Sequence, residues 1–170
     1  MIGTVKQSTK ATANHTPYVR WMNHLDLLEY VIPMERASFS HPWTEAEFTR
    51  ALRQRDCIGM VCEVGGKIVG YMIYELHKSH LHLLNFAVDA EHRRKGCGSA
   101  MIERLSFKMS YHLRSRITVE VRETNLQAQL FFKSQDFRCV VVVKDFYEEV
   151  DESMYLMLRQ FNADFDCIGV

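Results

Sequence analysis

The chain has 170 residues, 47% of them hydrophobic, which is enough to fill one core and predicts a single domain. Its 21 Lys and Arg balance 21 Asp and Glu, so no overall field draws it to nucleic acid or an anionic membrane, and a charged ligand has to be gripped locally. Five cysteines without a C-x-x-C pair suit reduced thiols in the cytoplasm better than a disulfide framework or a zinc site, and no apolar run nears the roughly 18 residues that cross a bilayer.

Residues 1–17, mostly Thr, Ser, Lys, Ala and Asn, are too polar to pack and lack the apolar middle of a secretion signal. They predict a flexible tail ahead of a domain over 18–160, with 161–170 as a second tail. Leu25, Leu28, Ile32 and residues 35–39 follow helical spacing over 24–39, where Pro33 is expected to kink or divide the helix. Thr44-Glu45-Ala46-Glu47 is a capping box that starts a second helix with Phe48 and Leu52 on its apolar stripe. Residues 57–64 and 67–76 form a hairpin about Gly65-Gly66, since paired glycines supply the positive φ that tight hairpins need, and 81–88 adds a third strand. The period then changes: Met101, Leu105, Met109 and Leu113 recur every four residues and predict a helix over 97–113. Ile117, Val119 and Val121 alternate with Thr118, Glu120 and Arg122, so a strand follows with Glu120 on its polar face. A helix over 125–134 and strands over 137–144 and 153–158 complete the order α, α, β, β, β, α, β, α, β, β.

Between the third strand and its helix stands Arg93-Arg94-Lys95-Gly96-Cys97-Gly98. The first amides of a helix have no carbonyl partner and lie at the positive end of its dipole, so a pyrophosphate accepts hydrogen bonds there. Gly96 and Gly98 leave the backbone open to phosphate, and three cations add charge. The run alone does not separate such a cradle from a plain basic loop. It is neither a Walker loop nor a Rossmann fingerprint, lacking G-x-x-x-x-G-K-[ST] and the third glycine.

R-x-x-G-x-G at a helix start, after Leu84-Asn85-Phe86-Ala87-Val88-Asp89, resembles the acetyl-CoA motif of the GNAT superfamily of N-acetyltransferases, and the resemblance runs over about 21–158. Within it, Phe39-Ser40-His41-Pro42-Trp43-Thr44, Asn85 to Asp89, Glu120-Val121-Arg122-Glu123-Thr124-Asn125 and Asp145-Phe146-Tyr147 resemble, in order, the RimI type, which acetylates the N-terminal alanine of a ribosomal protein. The resemblance implies an α/β (α+β) fold, a mixed and mostly antiparallel central sheet flanked by helices and splayed between the fourth and fifth family strands, here those ending at Val88 and Val121. It implies acetyl-CoA as co-substrate, held by the backbone of Phe86, Ala87 and Val88, by Arg93, Arg94, Lys95, Gly96, Cys97 and Gly98, and by Asn125. It further implies Glu120 as general base, Tyr147 lining the acceptor, and a protein or peptide N-terminus as partner.

Amide formation from a thioester needs a neutral amine. At pH 7 an α-amine near 8 costs about 1.4 kcal/mol to deprotonate and a lysine near 10.4 about 4.6 kcal/mol, so a modest base such as Glu120 suffices for an N-terminus. Alone, Glu120 reads equally as a solvated strand glutamate, Asn125 as an N-cap, Tyr147 as a half-buried aromatic and Cys97 as a small packing residue. The family's general acid is a tyrosine seven residues after the asparagine, where this chain has Phe132. The thiolate then leaves unassisted, at about 2 kcal/mol for a thiol near 8.5, or takes a proton from water or from Tyr147. Asp136 replaces a family glycine ahead of Phe137. No cysteine or carboxylate is spaced to complete a site with His77, His80 and His82, so no metal is expected. A GNAT enzyme for a lysine or small amine, and a non-catalytic acyl-CoA-binding module, are the other readings.

Overall fold

The computed structural model describes residues 16–110, 114–147 and 152–161, with only the backbone of Ser110 and Tyr147. The expected tails, apart from Thr16, Pro17 and Phe161, and the helix end at Leu113 lie outside the described residues. Seven strands form one sheet: β1 (Tyr18–Trp21), β2 (Cys57–Val64), β3 (Lys67–Leu76), β4 (His80–Val88), β5 (Arg116–Arg122), β6 (Arg138–Tyr147) and β7 (Glu152–Gln160). Their spatial order is β1-β2-β3-β4-β5-β7-β6, antiparallel throughout except for the β4–β5 pair. The expected mixed, mostly antiparallel sheet is therefore present. β1 was not foreseen; its four residues pair with β2, from Tyr18 opposite Glu63 to Trp21 opposite Met60.

Strand alternation sorts side chains onto two cores. Met60, Cys62, Met72 and Tyr74 pack on one face with Met101, Leu105 and Met109 of α4 (Cys97–Ser110) and Phe132 of α5 (Leu126–Ser134). Val61, Tyr71 and Ile73 pack on the other with Leu27 and Val31, Ile32 and Met34 of α2 (Ile32–Ser38), and Phe48 of α3 (Glu45–Leu52). Each Val, Leu, Ile, Phe or Met buried among them contributes about 1.5–3 kcal/mol of transfer free energy.

The capping box forms as expected: the Thr44 hydroxyl accepts from the Glu47 amide, and the Glu47 carboxylate accepts from the Thr44 amide at 2.7 Å. Gly65 and Gly66 close the β2–β3 hairpin at φ 58° and 80°. Ahead of Pro33 the division comes earlier than the proline itself. The short α1 (His24–Asp26) widens over Leu27–Val31, where the Ile32 amide donates to the Leu27 carbonyl five residues back, and Pro33 then sits in the first turn of α2. A first turn tolerates a residue without an N–H, and the wider turn supplies slack for the ring.

One irregularity was invisible in the pattern of β4. Ile73 pairs with Asn85 while Tyr74 pairs with Leu83, so Leu84 is an extra residue. The bulge reverses the alternation: Leu81 and Leu83 before it, and Phe86 and Val88 after it, all pack on the α4 side, and Ala87 packs on the α2 side. Among the described residues no helix is long and apolar enough to cross a membrane.

Candidate active site

The parallel ladder pairs His80 with Arg116 through Leu83 with Val119 and stops there. Beyond it, among the described residues, no ladder joins 84–88 to 120–122, so the two strands diverge. A cleft of about 240 Å³ opens between them, with Asn85 and Phe86 on the β4 side, Glu120 and Arg122 on β5, and Asn125 and Phe132 from α5. Phe39, His41 and Trp43, from the connection between α2 and α3, line it as well.

At the end of β4 a 3-10 turn (Ala90–His92) leads into the basic run. Arg94 takes φ 61° and Gly96 φ 84°, and Ala100 donates to the Gly96 carbonyl at 2.9 Å as the helix begins. By helix geometry the amides of Cys97, Gly98 and Ser99 precede the first intrahelical acceptor and point out along the positive end of the dipole. The two glycines differ in what surrounds them. A Cβ on Gly96 meets nothing within 4 Å, so that glycine serves the left-handed turn. A Cβ on Gly98 comes within 2.9 Å of the Phe131 ring, so this glycine lets α4 approach α5. Cys97 is 1% exposed, so its side chain belongs to the core. Arg93 Nε donates to the Val88 carbonyl at 3.1 Å and its Nη1 to Gln127 Oε1 at 3.4 Å, bridging the end of β4 to α5 across the open side of the gap.

On α5, Asn125 is the N-cap, its Oδ1 accepting from the Ala128 amide at 3.0 Å while the residue lines the cleft. Phe132 is 3% exposed and packs with Phe86, Phe131 and Phe137 at centroid distances of 5.2–5.8 Å. Asp136 keeps the turn a glycine would make. It takes φ 64°, and the Phe137 amide donates back to the Phe132 carbonyl at 3.0 Å, with the two rings in contact over the closed turn. Aspartate is among the few side chains that visit this left-handed region.

Opposite α5, the carboxylate of Glu35 is 1% exposed and fully engaged. Its Oε1 accepts from the Trp43 amide at 2.7 Å and from Asn85 Nδ2 at 3.1 Å, and its Oε2 accepts from the Tyr71 hydroxyl. Tyr71 also reaches Asn85 Oδ1 at 3.2 Å. Burial, followed by the Glu35 charge, pushes the Tyr71 phenol far above its usual value, so it remains a proton donor. The knot ties α2 and the Trp43 backbone to β3 and β4, and so fixes one wall of the cleft.

The other end of β5 is clamped by Glu152. Its Oε1 accepts from Thr124 Oγ1 at 2.5 Å and the Thr124 amide at 3.0 Å, and its Oε2 pairs with Arg122 at 2.9 Å. The Thr124 bonds first, then Arg122, hold this carboxyl down at about 2. The clamp therefore adds stability above about pH 4.5 that is lost as pH falls toward 2. For Glu152→Gln, thermal melts are expected to lie below the wild type near neutral pH, with the gap closing on acidification; a constant gap contradicts the clamp.

Glu120, with 40% of its side chain exposed, faces the cleft, and its Oε1 lies 3.8 Å from His82 Nε2. Among the described residues no group of three or more His, Cys, Asp or Glu is placed to hold a metal ion. His77 and His80 instead stack at 4.4 Å.

The sequence model of the Acetyltransferase (GNAT) family matches residues 26–137, more than half of the chain. The chain belongs to this family. As a GNAT enzyme it is an acetyl-CoA-dependent N-acetyltransferase. It is 25% identical over 118 residues to the ribosomal protein bS18-alanine N-acetyltransferase of Escherichia coli K12, over 69% of this chain and 79% of that one. The crystal structure of the ribosomal-protein-S18-alanine N-acetyltransferase from Escherichia coli superimposes with a TM-score of 0.77, 20% identity and coverage of 91% and 100%. An N-alpha-acetyltransferase of Saccharolobus solfataricus is 27% identical over 149 residues, 79% of this chain and 88% of that one. Arabidopsis thaliana NAA60, crystallised with acetyl-CoA, shares the fold at a TM-score of 0.72 and 18% identity, covering 86% and 100%.

Within this GNAT fold Phe86, Glu120 and Asn125 meet in one cleft, Ala87 and Val88 continue the same strand, and Arg93 to Gly96 form the turn that leads into the helix opened by Cys97 and Gly98. Tyr147 ends β6 opposite Glu152, and its side chain lies outside the described residues. Glu35 and Tyr71 were missed, and His82, which contacts Glu120, was weighed only as a metal ligand. An acidic residue inside an apolar helical stretch was the only signal for Glu35.

Proposed function

We propose that this GNAT enzyme moves the acetyl group from acetyl-CoA to the N-terminal α-amine of a protein, with Glu120 as general base. The observation that carries the reading is the position of Glu120, which faces the gap where β4 and β5 part. Curated relatives that act on the alanine of ribosomal protein bS18, or as N-alpha-acetyltransferases, support the same acceptor class, and a ribosomal protein is its natural extension.

The residues present fit the co-substrate. Arg94 and Gly96 take positive φ just ahead of α4, whose first amides lack helical acceptors, and Arg93, Arg94 and Lys95 precede them in sequence, a donor set that suits a diphosphate. Backbone groups of Phe86, Ala87 and Val88, past the end of the β4–β5 ladder, suit the amide-bearing pantetheine arm, and Asn125 lies where the arm meets α5. When bound, acetyl-CoA supplies an activated acyl carbon and a thiolate leaving group. Glu120 takes the ammonium proton, and Tyr147, at the end of β6, lines the acceptor. Buried free thiols at Cys57, Cys62 and Cys97 suit a reducing cytoplasm.

Phe132 presents a ring with no proton to give, so the thiolate leaves without an acid from this position. Phe132→Tyr is expected to raise kcat by up to about 30-fold, the equivalent of about 2 kcal/mol of thiolate release. A large loss instead makes the ring a packing element that tolerates no hydroxyl. The acceptor class is tested by rates on two peptides, one with a free N-terminal alanine and one with a blocked N-terminus and an internal lysine. Faster acetylation of the first supports the reading; faster acetylation of the second overturns it.

A further inference from the structure

We propose that β6 pairs with β6 of a second copy of this chain, antiparallel and centred on Val142, so that two sheets join edge to edge. β6 ends the sheet order and, among the described residues, is hydrogen-bonded to β7 on one side only. Folded chains guard such edges with short strands, charges or bulges, because unpaired backbone groups recruit another strand. β1, at the opposite edge, is guarded by its four-residue length. β6 has ten residues, and in its middle Val140, Val141, Val142 and Val143 are all 36–52% exposed. Its ladder to β7 is irregular between Cys139 and Val141 and between Val143 and Tyr147, which leaves Val141 to Val143 as the regular run open to pairing.

The charges around the valines select a second copy as the occupant. Arg138 stands at one end of the strand and Lys144 and Asp145 near the other, and among the described residues none of the three has an ion pair or a side-chain hydrogen bond. A two-fold axis perpendicular to the sheet returns each side chain to its own face, so a residue rather than a peptide bond lies at the centre of the joined ladder. Centred on Val141, the ladder sets Arg138 against Lys144 of the partner subunit, so like charges meet at both ends. Centred on Val142, it sets Lys144 against a valine and brings Arg138 within one position of Asp145 of the partner subunit, an attraction that symmetry repeats at both ends. The formal net charge of the chain is zero, so two copies approach without overall repulsion. Val141 and Glu120 both pair with Leu156 and share a face, so the axis places the two Glu120 carboxylates on the same side of the joined sheet.

Sedimentation equilibrium of the full chain, from about 1 to about 100 μM, reads the association. The wild type is expected to form a dimer that dissociates on dilution, and a chain that stays monomeric throughout overturns the proposal. Val142→Lys sets two ammonium groups against each other across the axis and is expected to weaken the dimer about 100-fold. Tyr18→Lys places the same charge on exposed β1, at the opposite edge, and is expected to leave the dimer intact. A dimer that survives Val142→Lys, or that is lost in Tyr18→Lys, overturns pairing through β6. If circular dichroism shows Val142→Lys unfolded, Arg138→Glu reports in its place, because acidic side chains then meet at both ends of the ladder. A dimer weakened about 10-fold supports the pairing, and unchanged association sinks it.

Discussion

Glu120→Gln is expected to bind acetyl-CoA as the wild type does and to lose on the order of 100-fold or more in kcat, the usual worth of a general base. The isosteric amide keeps the volume and one carbonyl acceptor at the cleft wall but cannot take a proton. Glu120 pairs through its backbone with Leu156 of β7, and Ile117, Val119 and Val121 hold the strand in the core, so the fold does not depend on this carboxylate. Steady-state rates alongside acetyl-CoA calorimetry separate the effects: lost turnover with intact affinity supports the base, and unchanged turnover removes Glu120 from the chemistry. The loss is also expected to shrink as pH rises past the amine's own pKa, where the acceptor arrives already neutral. A loss that stays constant across that range points to positioning rather than proton removal.

The largest effect on stability is expected at Glu35. Removing its side chain in Glu35→Ala leaves the Trp43 amide, Asn85 Nδ2 and the Tyr71 hydroxyl without the acceptor they share, all packed near the α2-side core. Each buried unsatisfied group costs about 1–3 kcal/mol, and Tyr71 keeps part of its bonding through Asn85 Oδ1, so a total near 3 kcal/mol is expected by denaturant titration. That is a large share of the ~5–15 kcal/mol by which a domain of this size is stable. The same change frees the Trp43 backbone, so KM for a peptide is expected to rise more than KM for acetyl-CoA, because the Phe39–Trp43 wall moves while the amides at Arg93–Gly98 do not. Tyr71→Phe, which leaves Glu35 with two donors, is expected to cost about 1 kcal/mol. Equal costs for the two variants contradict the knot.

Much of the architecture was legible because it is local. The capping box at Thr44, the paired glycines of the β2–β3 hairpin and the four-residue recurrence in α4 each sit within one element, and each appears where the residues indicated. The glycine turn at the start of α4 was legible for the same reason. What was not legible depends on contacts between elements. The Glu35 knot joins residues 50 apart in sequence, and a glutamate on an amphipathic stretch reads as solvated until β4 supplies Asn85. The bulge at Leu84 leaves no mark in a run that is apolar on both sides, yet it carries Asn85 to the α2 side and Phe86 to the α4 side. β1 is too short, and too close to a polar segment, for its alternation to register. Asp136 shows the reverse case. The residue departs from the family glycine while the backbone keeps the glycine's conformation, so reading the side chain alone misjudges the turn.

The account stands or falls on the amides at the start of α4 holding a diphosphate beside the parted strands. Calorimetry of the wild-type chain with acetyl-CoA, and with S-acetyl pantetheine, which carries the same thioester without the diphosphate, tests this directly. Charge-assisted hydrogen bonds from two or more amides and an arginine predict that acetyl-CoA binds on the order of 100-fold tighter or more. Equal affinity for the two, or no heat with acetyl-CoA, contradicts it.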